Sequence, residues 1–565
     1  MSNEYIKARD WDSSKILLPL VVSDERSVSW DETADMLAVG FGAAGASTAL
    51  EGCAKGLYVI LADRFQGGGA SELSGGIVYA GGGTKAQRET GHNDTPEAMF
   101  EYLSKEVGDA ISPQTLRRFC DDSVETLSWL ESHGAHFGGP EAPHKTSYPG
   151  PHDFLYYSDN ATAPAYSGQF APAPRGHRTM GQAAFENPEV GQGEEGGFHL
   201  MAALKKAVAR ADNIRVLRQA RATRLIVNPR NEVLGVEFRQ LREGSLASRL
   251  HKWAEPYGKN PLWRLFGFGV PFIWLAVLAE KFAKPLRVRA RYGTVLSAGG
   301  FVHNRKLVGK VAPEYLRAPP LGSLGCDGSG VRLGLSVGAG VDWMDSVSAW
   351  RFVNPPYAWV KGIVVGPDGN RLVNEELYGA VLGQAMYRRT AGRAWLIVDS
   401  DIQAAAIEEL KERKMFPFQR YPIEASRRTA IKADSIAELE SKLGFPLGSL
   451  VNTASSYNSA IAQHAQDAMG KSRKLRAPLL RKPYYAVNLK SSIMSPVFSI
   501  TMGGLSVDEG TGQVTQPNGD PIKGLFAAGR SAVGLPSKNY VSGLSLADCV
   551  WSGRRAARSI ASIRG

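Results

Sequence analysis

Residues 35–63 read DMLAVGFGAAGASTALEGCAKGLYVILAD, and this stretch decides the fold. The apolar run at 35–39 predicts a buried strand, and the alanine-rich segment at 43–54 predicts a helix. A second apolar run at 57–62 predicts another strand, which ends at Asp63. A strand, a glycine turn, a helix and a second strand form the first unit of a Rossmann-like dinucleotide-binding fold.

The glycine turn has the pattern G-x-G-x-x-G. Gly40 permits the tight turn, Gly42 lets the backbone approach a pyrophosphate, and Gly45 lets the helix pack closely on the strand. The free N–H groups and the partial positive charge of the helix N-terminus, at Ala43 and Ala44, suit phosphates. The turn therefore predicts the phosphate-binding part of a dinucleotide site.

Asp63 lies about 20 residues beyond the glycine turn, where an acid accepts hydrogen bonds from the adenosine ribose hydroxyls. An acid at this position argues against a 2′-phosphate and hence against NADP. Its neighbour Arg64 is a further candidate for cofactor contact.

Residues 67–83 read GGGASELSGGIVYAGGG, a run in which glycine is unusually frequent. Glycine has no side chain to obstruct a close approach, so this run predicts a segment wrapped around a large planar cofactor, FAD rather than NAD. Strand-and-glycine units recur far downstream, VLSAGGF at 295–301 and LFAAGR at 525–530. We therefore expect both ends of the chain to build one site for non-covalent FAD. The predicted contacts are Gly40, Gly42, Ala43, Ala44, Gly45, Asp63, Arg64, Gly69, Ala70, Ser71, Ser74, Gly75, Gly76, Ala222, Ala298, Gly299, Gly300, Gly529, Leu544, Ser545 and Leu546.

The net charge of +11 could attract nucleic acid, an anionic membrane or a polyanionic ligand. The sequence has no nucleic-acid-binding module, so a nucleic-acid partner is disfavoured. The four cysteines form no C-x-x-C pair and the histidines form no metal motif, which predicts neither a disulfide framework nor a metal site. The N-terminal residues lack the apolar core of a signal peptide, so a cytoplasmic location is expected.

Residues 265–279 are uncharged and have basic flanks. The run is shorter than the about 20 residues of a bilayer span, which favours a segment lying on the inner face of the membrane. We expect an insertion at 255–284 to contact lipid, although an oligomer contact or a cover for the pocket would also explain it. The expected contacts are Trp263, Phe266, Phe268, Phe272 and Trp274 as anchors, and Lys281, Lys284, Arg287 and Arg289 toward anionic lipid.

Six segments occur in order along the chain: VGFGAAG, ASELSGGI, VLSAGGF, GNRLVNE at 369–375, TMGGLSVD at 501–508, and GLFAAGR. As a set they resemble the fumarate reductase/3-ketosteroid dehydrogenase flavoprotein superfamily. The resemblance implies an α/β fold, in which a Rossmann-like FAD-binding domain carries an inserted α+β catalytic capping domain. The implied division is an N-terminal extension at 1–29, the FAD-binding domain at 30–306 and 488–565, and the capping domain at 307–487.

The branch of the superfamily is indicated by smaller motifs. The His-Pro-Thr segment of fumarate reductases is absent, and ASELSGGI has no histidine for covalent flavin attachment, so dicarboxylate reduction is disfavoured. The segment KNYVSGLSLADCVWSGRRAA resembles the tail of 3-ketosteroid 4-dehydrogenases, whose Tyr-x-Ser-Gly motif is matched by Tyr540, Ser542 and Gly543. Tyr378 matches a second tyrosine of that family.

This resemblance implies C4–C5 desaturation of 3-oxo-5α-steroids, with an external electron acceptor. Desaturation at C1–C2, reduction of an activated alkene, and flavin binding without turnover remain alternatives. The resemblance further implies that Tyr378, Tyr540 and Ser542 carry proton abstraction, with Gly543 near the ketone. It does not decide which tyrosine is the base.

The residue chemistry adds two expectations. A tyrosine is a suitable base only if its pKa falls from about 10. A helix beginning at Gly543 would direct the amides of Leu544 and Ser545 toward the flavin.

Residues 140–195 are rich in Pro and Gly and predict a lid or an excursion. Tyr156 and Tyr157, within that segment, are candidates for the pocket wall, but surface packing is the expected role.

Overall fold

The protein is represented by a computed structural model, which describes residues 16–23, 25–166, 168 and 171–564. Residues 1–15 of the predicted N-terminal extension lie outside the described part. The strands are β1 (Leu20–Val21), β2 (Glu32–Val39), β3 (Val59–Ala62), β4 (Ile77–Tyr79), β5 (Leu155–Tyr156), β6 (Gly176–Arg178), β7 (Ile214–Leu217), β8 (Ala220–Val227), β9 (Val233–Gln240), β10 (Lys284–Leu296), β11 (Val341–Asp342), β12 (Val347–Ala349), β13 (Ile363–Val365), β14 (Trp395–Val398), β15 (Ile431–Ala433), β16 (Tyr484–Asn488), β17 (Ser499–Thr501), β18 (Gly504–Leu505), β19 (Gln513–Thr515) and β20 (Pro521–Ala527).

The helices alternate with these strands. They are α1 (Ala43–Ala54), α2 (Gly69–Glu72), α3 (Lys85–Glu89), α4 (Pro96–Val107), α5 (Pro113–Asp121), α6 (Ser123–Ser132), α7 (Gln182–Glu186), α8 (Gly196–Arg210), α9 (Leu246–Lys259), α10 (Pro261–Leu265), α11 (Val270–Ala279), α12 (Arg305–Val311), α13 (Ser329–Ser336), α14 (Gly379–Thr390), α15 (Ser400–Glu412), α16 (Pro417–Arg428), α17 (Ile436–Leu443), α18 (Ser449–Ala462) and α19 (Leu544–Arg564).

Strand β10 joins the two ends of the chain. In the described residues the main sheet has nine strands, ordered β1-β8-β9-β10-β2-β3-β7, with β20 also paired to β10 and β19 to β20. The first half of β10 runs antiparallel to β9, and its second half runs parallel to both β2 and β20. The carboxyl ends of β2, β3 and β20 therefore open at one edge, where parallel α/β sheets bind ligands. The described part of the N-terminal extension also contributes to this sheet, since β1 pairs with β8.

Helix α1 has the bounds that the sequence predicts and packs against α19. Two glycines allow the close contacts. A Cβ at Gly45 would lie 1.8 Å from the Gly40 carbonyl oxygen, and a Cβ at Gly553 would lie 2.5 Å from that of Ala44. The C-terminal helix is thereby held directly against the helix of the predicted phosphate-binding turn.

The capping region has its own apolar core around the antiparallel sheet β13-β14-β16-β15, and this core runs from Val353 to Leu489. The predicted boundary at 307 differs from this arrangement. Residues such as Leu307, Val331 and Val347 pack instead into the core beneath the main sheet. The amino-acid composition does not change at residue 307, because both cores are built from the same small aliphatic residues.

Residues 241–283 connect β9 to β10 and contain α9, α10 and α11; we call this segment the apolar insert. It begins before the predicted position 255, because the amphipathic helix α9 belongs to it. Helices α9 and α11 pack together, with the ring of Phe272 between those of Trp253 and Tyr257. Among the described residues, no helix combines the length and apolar character needed to cross a bilayer.

In its described part the segment 140–195 is not an excursion, because it contributes strands to a sheet. Its strands β5 and β6 form an antiparallel sheet with β4. Tyr156, at the end of β5, is fully buried, so the surface role expected for it is wrong. Tyr157 is half-buried and lines a separate cavity of about 390 Å³.

Candidate active site

A cavity of about 1170 Å³ opens at the carboxyl ends of β2 and β3 and continues to the capping region. Its volume exceeds the roughly 300–1,000 Å³ of a pocket for one small molecule, so it has room for a cofactor and a second ligand. The predicted residues on its wall are Gly40, Gly42, Ala43, Ala44, Asp63, Arg64, Gly69, Ala70, Ser71, Ser74, Gly75, Gly76, Ala222, Ala298, Gly299, Tyr378, Tyr540, Ser542, Gly543, Ser545 and Leu546.

Four predicted cofactor residues lie behind the wall. Gly45, Gly300 and Gly529 permit close packing; a Cβ at Gly300 would lie 2.5 Å from Oγ1 of Thr501, and one at Gly529 would lie 2.9 Å from Sγ of Cys549. Leu544 has its side chain in the core, and its N–H donates to the Val541 carbonyl. Of the two amides expected to face the flavin, only that of Ser545 belongs to a residue lining the cavity.

The dinucleotide end of the cavity is held by backbone hydrogen bonds. Gly40 has a φ of +110°, and a Cβ there would lie 2.5 Å from the carbonyl oxygen of Ser297 at the end of β10. The Asp63 carboxylate accepts the N–H groups of Phe41 and Phe65, each at 2.7 Å. Asp63 is thus fixed at the end of β3, where the ribose hydroxyls would be bound.

Arg64, a predicted cofactor contact, forms ion pairs with two acids. Its Nε donates to Oε1 of Glu280 at 2.6 Å, and its Nη1 donates to Oδ2 of Asp327 at 3.1 Å. These carboxylates raise the pKa of Arg64 against the opposing effect of burial. Arg64 therefore lines the cavity while its guanidinium is neutralised by acids from two other segments.

The residues present fit FAD. The glycine backbone on the wall leaves the approach open to a flat ring system, as at Gly42 and Gly69. Buried Arg530 follows β20, lines the cavity beside Ala298, and has an Nη1 with no hydrogen-bond partner among the described residues. Its Nη2 contacts Sγ of Cys326 at 3.5 Å, but a buried Nη1 donor without an acceptor is costly, and the electron-rich edge of a flavin would supply one.

The far end of the cavity carries the predicted tyrosine pair. The rings of Tyr378 and Tyr540 stack with centroids 6.1 Å apart, and Trp350 lies edge-on to Tyr540 at 5.0 Å. Tyr378 immediately precedes α14, and its N–H donates to Oδ1 of Asn160 at 2.6 Å. The pair therefore combines one residue from the capping region with one from the C-terminal segment.

Ser542 is positioned by the glycine that follows it. Gly543 has a φ of +87°, and a Cβ there would lie 2.7 Å from the backbone nitrogen of Tyr79 in β4. Only glycine tolerates both this conformation and this contact. The Ser542 hydroxyl lies 3.0 Å from the hydroxyl of Tyr156 and also hydrogen-bonds Tyr378, so it connects two phenols.

A tyrosine base requires a lowered pKa, but the pKa values of Tyr378, Tyr156 and Tyr540 are all raised. Burial raises the pKa of Tyr378 well above its usual value, and the hydrogen bond from Ser542 opposes this only in part. Burial likewise raises the pKa of Tyr156. It raises the pKa of Tyr540 to about 12, although the positive charge of Arg530 acts against the shift. All three phenols are therefore protonated at neutral pH.

Two residues of this site are missing from the sequence-based list. Arg530 ends the LFAAGR segment, in which the glycine, rather than this side chain, indicates cofactor contact. The sequence marks Tyr156 only as a candidate for the pocket wall, with surface packing as the expected role, and nothing in it connects Tyr156 to Ser542, which lies 386 positions away.

Comparisons with known proteins agree with this geometry. The sequence profile of the family described as "FAD binding domain" matches residues 35–546. The 3-oxo-5-alpha-steroid 4-dehydrogenase of Comamonas testosteroni is 37% identical over 522 residues, covering 90% of this chain and 95% of that protein. The 3-oxosteroid 1-dehydrogenase of Mycobacterium tuberculosis is 26% identical over 588 residues, covering 90% and 94%.

A solved structure extends the likeness to three dimensions. The crystal structure of 3-ketosteroid-delta4-(5alpha)-dehydrogenase from Rhodococcus jostii RHA1, in complex with 4-androstene-3,17-dione, superposes with a TM-score of 0.79 at 28% identity. The match covers 96% of this chain and 100% of that chain. The predicted fold, superfamily and cofactor are confirmed: the chain belongs to the FAD-binding-domain family and is an FAD-dependent oxidoreductase.

Proposed function

We propose that the protein dehydrogenates a 3-oxo-5α-steroid between C4 and C5. The observation that carries this proposal is the position of Ser542, Tyr378 and Tyr540 in the same cavity as the dinucleotide turn. A hydroxyl cluster at the end of a flavin site is what α,β-desaturation of a ketone needs. The steroid 4-dehydrogenase named above, which shares 37% identity with this chain, supports the choice of substrate class.

Desaturation removes a proton from C4 and a hydride from C5. Bound FAD supplies the hydride acceptor. Tyr540 donates a hydrogen bond to the ketone oxygen and stabilises the negative charge that develops there, because its raised pKa keeps the phenol protonated. The C4 proton passes to the Ser542 hydroxyl, which gives its own proton to the phenolate form of Tyr378, and Tyr156 holds the Ser542 hydroxyl in place.

The cavity wall suits a flat, apolar substrate. Beyond the tyrosines it is lined by aromatic and aliphatic side chains with few charges, including Trp350, Phe352, Phe416, Phe418 and Ile500. Such walls bind by burying apolar surface, at about 25 cal/mol for each Å² removed from water. A steroid nucleus offers this surface, whereas a small dicarboxylate would leave it uncovered.

The test is anaerobic mixing of the purified holoenzyme with 5α-androstane-3,17-dione. Bleaching of the flavin band together with 4-androstene-3,17-dione as product is the expected result. The alternative of 1-dehydrogenation would instead give a double bond at C1–C2. Oxidation of the reduced protein by fumarate, without any reaction with steroids, would favour the alkene reductase.

We also propose that the apolar insert rests on the inner face of an anionic membrane, from which a sparingly soluble steroid would enter. Phe268 and Trp274 are 67% and 70% exposed, and Trp263 and Phe266 are exposed as well. Exposed apolar patches of this kind are rare on proteins that bind no other surface. A membrane would also give access to an external electron acceptor that reoxidises the flavin.

The basic rim of this surface is smaller than the sequence suggests. Lys281 and Lys284 are exposed and available to lipid headgroups. Arg287 is paired with Glu237 at 3.0 Å and Phe272 is half-buried between other rings, so these two are structural. Lipid binding would then depend mainly on the aromatic anchors.

A further inference from the structure

We propose that the apolar insert is also part of the FAD site, with Glu255 serving as a second carboxyl for the adenosine ribose and the insert retaining the bound cofactor. Glu255 and Lys259 line the same cavity as Asp63. The insert therefore has two faces: exposed aromatic side chains on the outside, and polar groups toward the dinucleotide end of the cavity.

The inner face of α9 is fastened to the chain just after Asp63. The ring of His251 stacks on Phe65 with centroids 5.4 Å apart. Oε2 of Glu255 accepts the N–H of Gln66 at 3.2 Å. Nζ of Lys259 donates to Oε2 of Glu72 at 2.8 Å. Three successive turns of one helix thus cover the segment that leads from the ribose site into the glycine-rich run.

Two further contacts close the insert over the same end of the cavity. Glu280 accepts two hydrogen bonds from Arg64, the residue next to Asp63. Nη2 of Arg264 donates to the carbonyl oxygen of Gly322 at 2.9 Å, and Gly322 also lines the cavity. The Arg64–Glu280 pair is bidentate, and such a pair is directional and strong when it is shielded from water, as it is here. The insert is thus held on both sides of the dinucleotide end.

Glu255 is poorly satisfied by the protein alone. Its side chain is buried, the one donor to it among the described residues is the Gln66 amide, and Nζ of Lys259 lies 4.0 Å away. Burial raises the pKa of Glu255 to about 7, with Asp63 adding to the shift and Lys259 and Lys205 opposing it. Asp63 itself already accepts two backbone amides. Ribose hydroxyls are donors and would supply what Glu255 lacks.

The experiment measures FAD release rather than activity. Holoenzyme is diluted into an excess of an apoprotein that binds FAD tightly, and the rate of FAD loss is followed by fluorescence. Glu255→Ala should release FAD roughly tenfold faster, because the ribose hydroxyls lose a buried hydrogen-bond acceptor. Glu280→Gln, which weakens the closure, should also speed release. Lys252→Ala on the exposed side of α9 is the matched control and should change the rate less than twofold.

A second measurement on the unaltered protein guards against variants that fold badly. Trypsin should cut at exposed Lys252 and Lys281 more slowly in the holoenzyme than in the apoprotein, because bound FAD holds the insert closed. Equal cleavage in both forms would overturn the proposal. So would wild-type rates of FAD release from both Glu255→Ala and Glu280→Gln.

Discussion

The hydroxyl of Tyr156 lies 3.0 Å from Oγ of Ser542, although 386 positions separate the two residues in the chain. Both side chains are buried, and Tyr156 comes from a strand that has no part in the main sheet. This contact gives the proposed proton acceptor a defined orientation. It also couples the segment 140–195 to the chemistry.

Replacing Tyr156 with Phe should slow flavin reduction by steroid about tenfold, because Ser542 loses the partner that orients it. The free energy of unfolding should fall by about 1 kcal/mol, the usual effect of leaving a buried hydroxyl without its partner. Stopped-flow bleaching and denaturant unfolding measure the two effects. Tyr157→Phe is the control, since Tyr157 is half-buried and lines another cavity; equal losses in both variants would contradict the assignment.

The pH dependence separates the two tyrosines of the stacked pair. A phenol that accepts the proton must first ionise, and burial raises the pKa of Tyr378 well above 10. The rate of flavin bleaching should therefore increase from pH 7 to pH 10. Tyr378→Phe should remove this increase. A wild-type rate that is flat with pH would argue against a phenol in the proton path.

Tyr540→Phe should lower the rate of flavin bleaching by roughly 10²–10³, the usual loss when one donor to a developing oxyanion is removed. The increase with pH should persist in this variant, because the pKa of Tyr540, about 12, describes a donor that stays protonated across the range. FAD content, read from the absorbance ratio, should stay at the wild-type level. Loss of the pH increase in Tyr540→Phe, with its retention in Tyr378→Phe, would exchange the two roles.

Arg530 should set the reduction potential of the flavin. It is buried, faces the cavity, and its positive charge would favour the reduced cofactor, which gathers negative charge. Arg530→Met should lower the potential by roughly 30 mV, which corresponds to about 1.4 kcal/mol for two electrons. Arg530→Lys retains the charge and should recover most of the difference. Equal potentials in all three proteins, measured with redox dyes, would show that Arg530 only packs.

The lipid contact is tested by exposed residues that do not line the cavity. Trp274→Ser and Phe268→Ser should each weaken co-sedimentation with phosphatidylglycerol vesicles by about tenfold, since an anchoring aromatic ring contributes about 1.5–3 kcal/mol. Leu447→Ser, fully exposed on the capping region, is the control for removing a surface apolar group. Unchanged vesicle binding in Trp274→Ser together with Phe268→Ser would end the membrane proposal.

The sequence by itself determined the dinucleotide unit and the cofactor, and it predicted that both ends of the chain contribute to one cavity. These features depend on local rules: Gly40, Gly42 and Gly45 are spaced for one turn, and strand and helix periods can be counted along the chain. Helix α1 has the predicted bounds for this reason. The motif around Tyr540 likewise predicted Ser542 and Gly543, which line the cavity.

Only the tertiary structure decided which distant groups complete the site. Tyr156 contacts Ser542, and Glu255 contacts the segment just after β3. The partners in each contact lie far apart in the sequence and are not related by any helical or strand period. The raised pKa values were equally invisible, because burial arises only when the capping region closes over the phenols. Desolvation of the phenols depends on the assembled cavity, so the raised pKa values could not be predicted from the sequence. A glycine turn depends on a few consecutive residues, so it could.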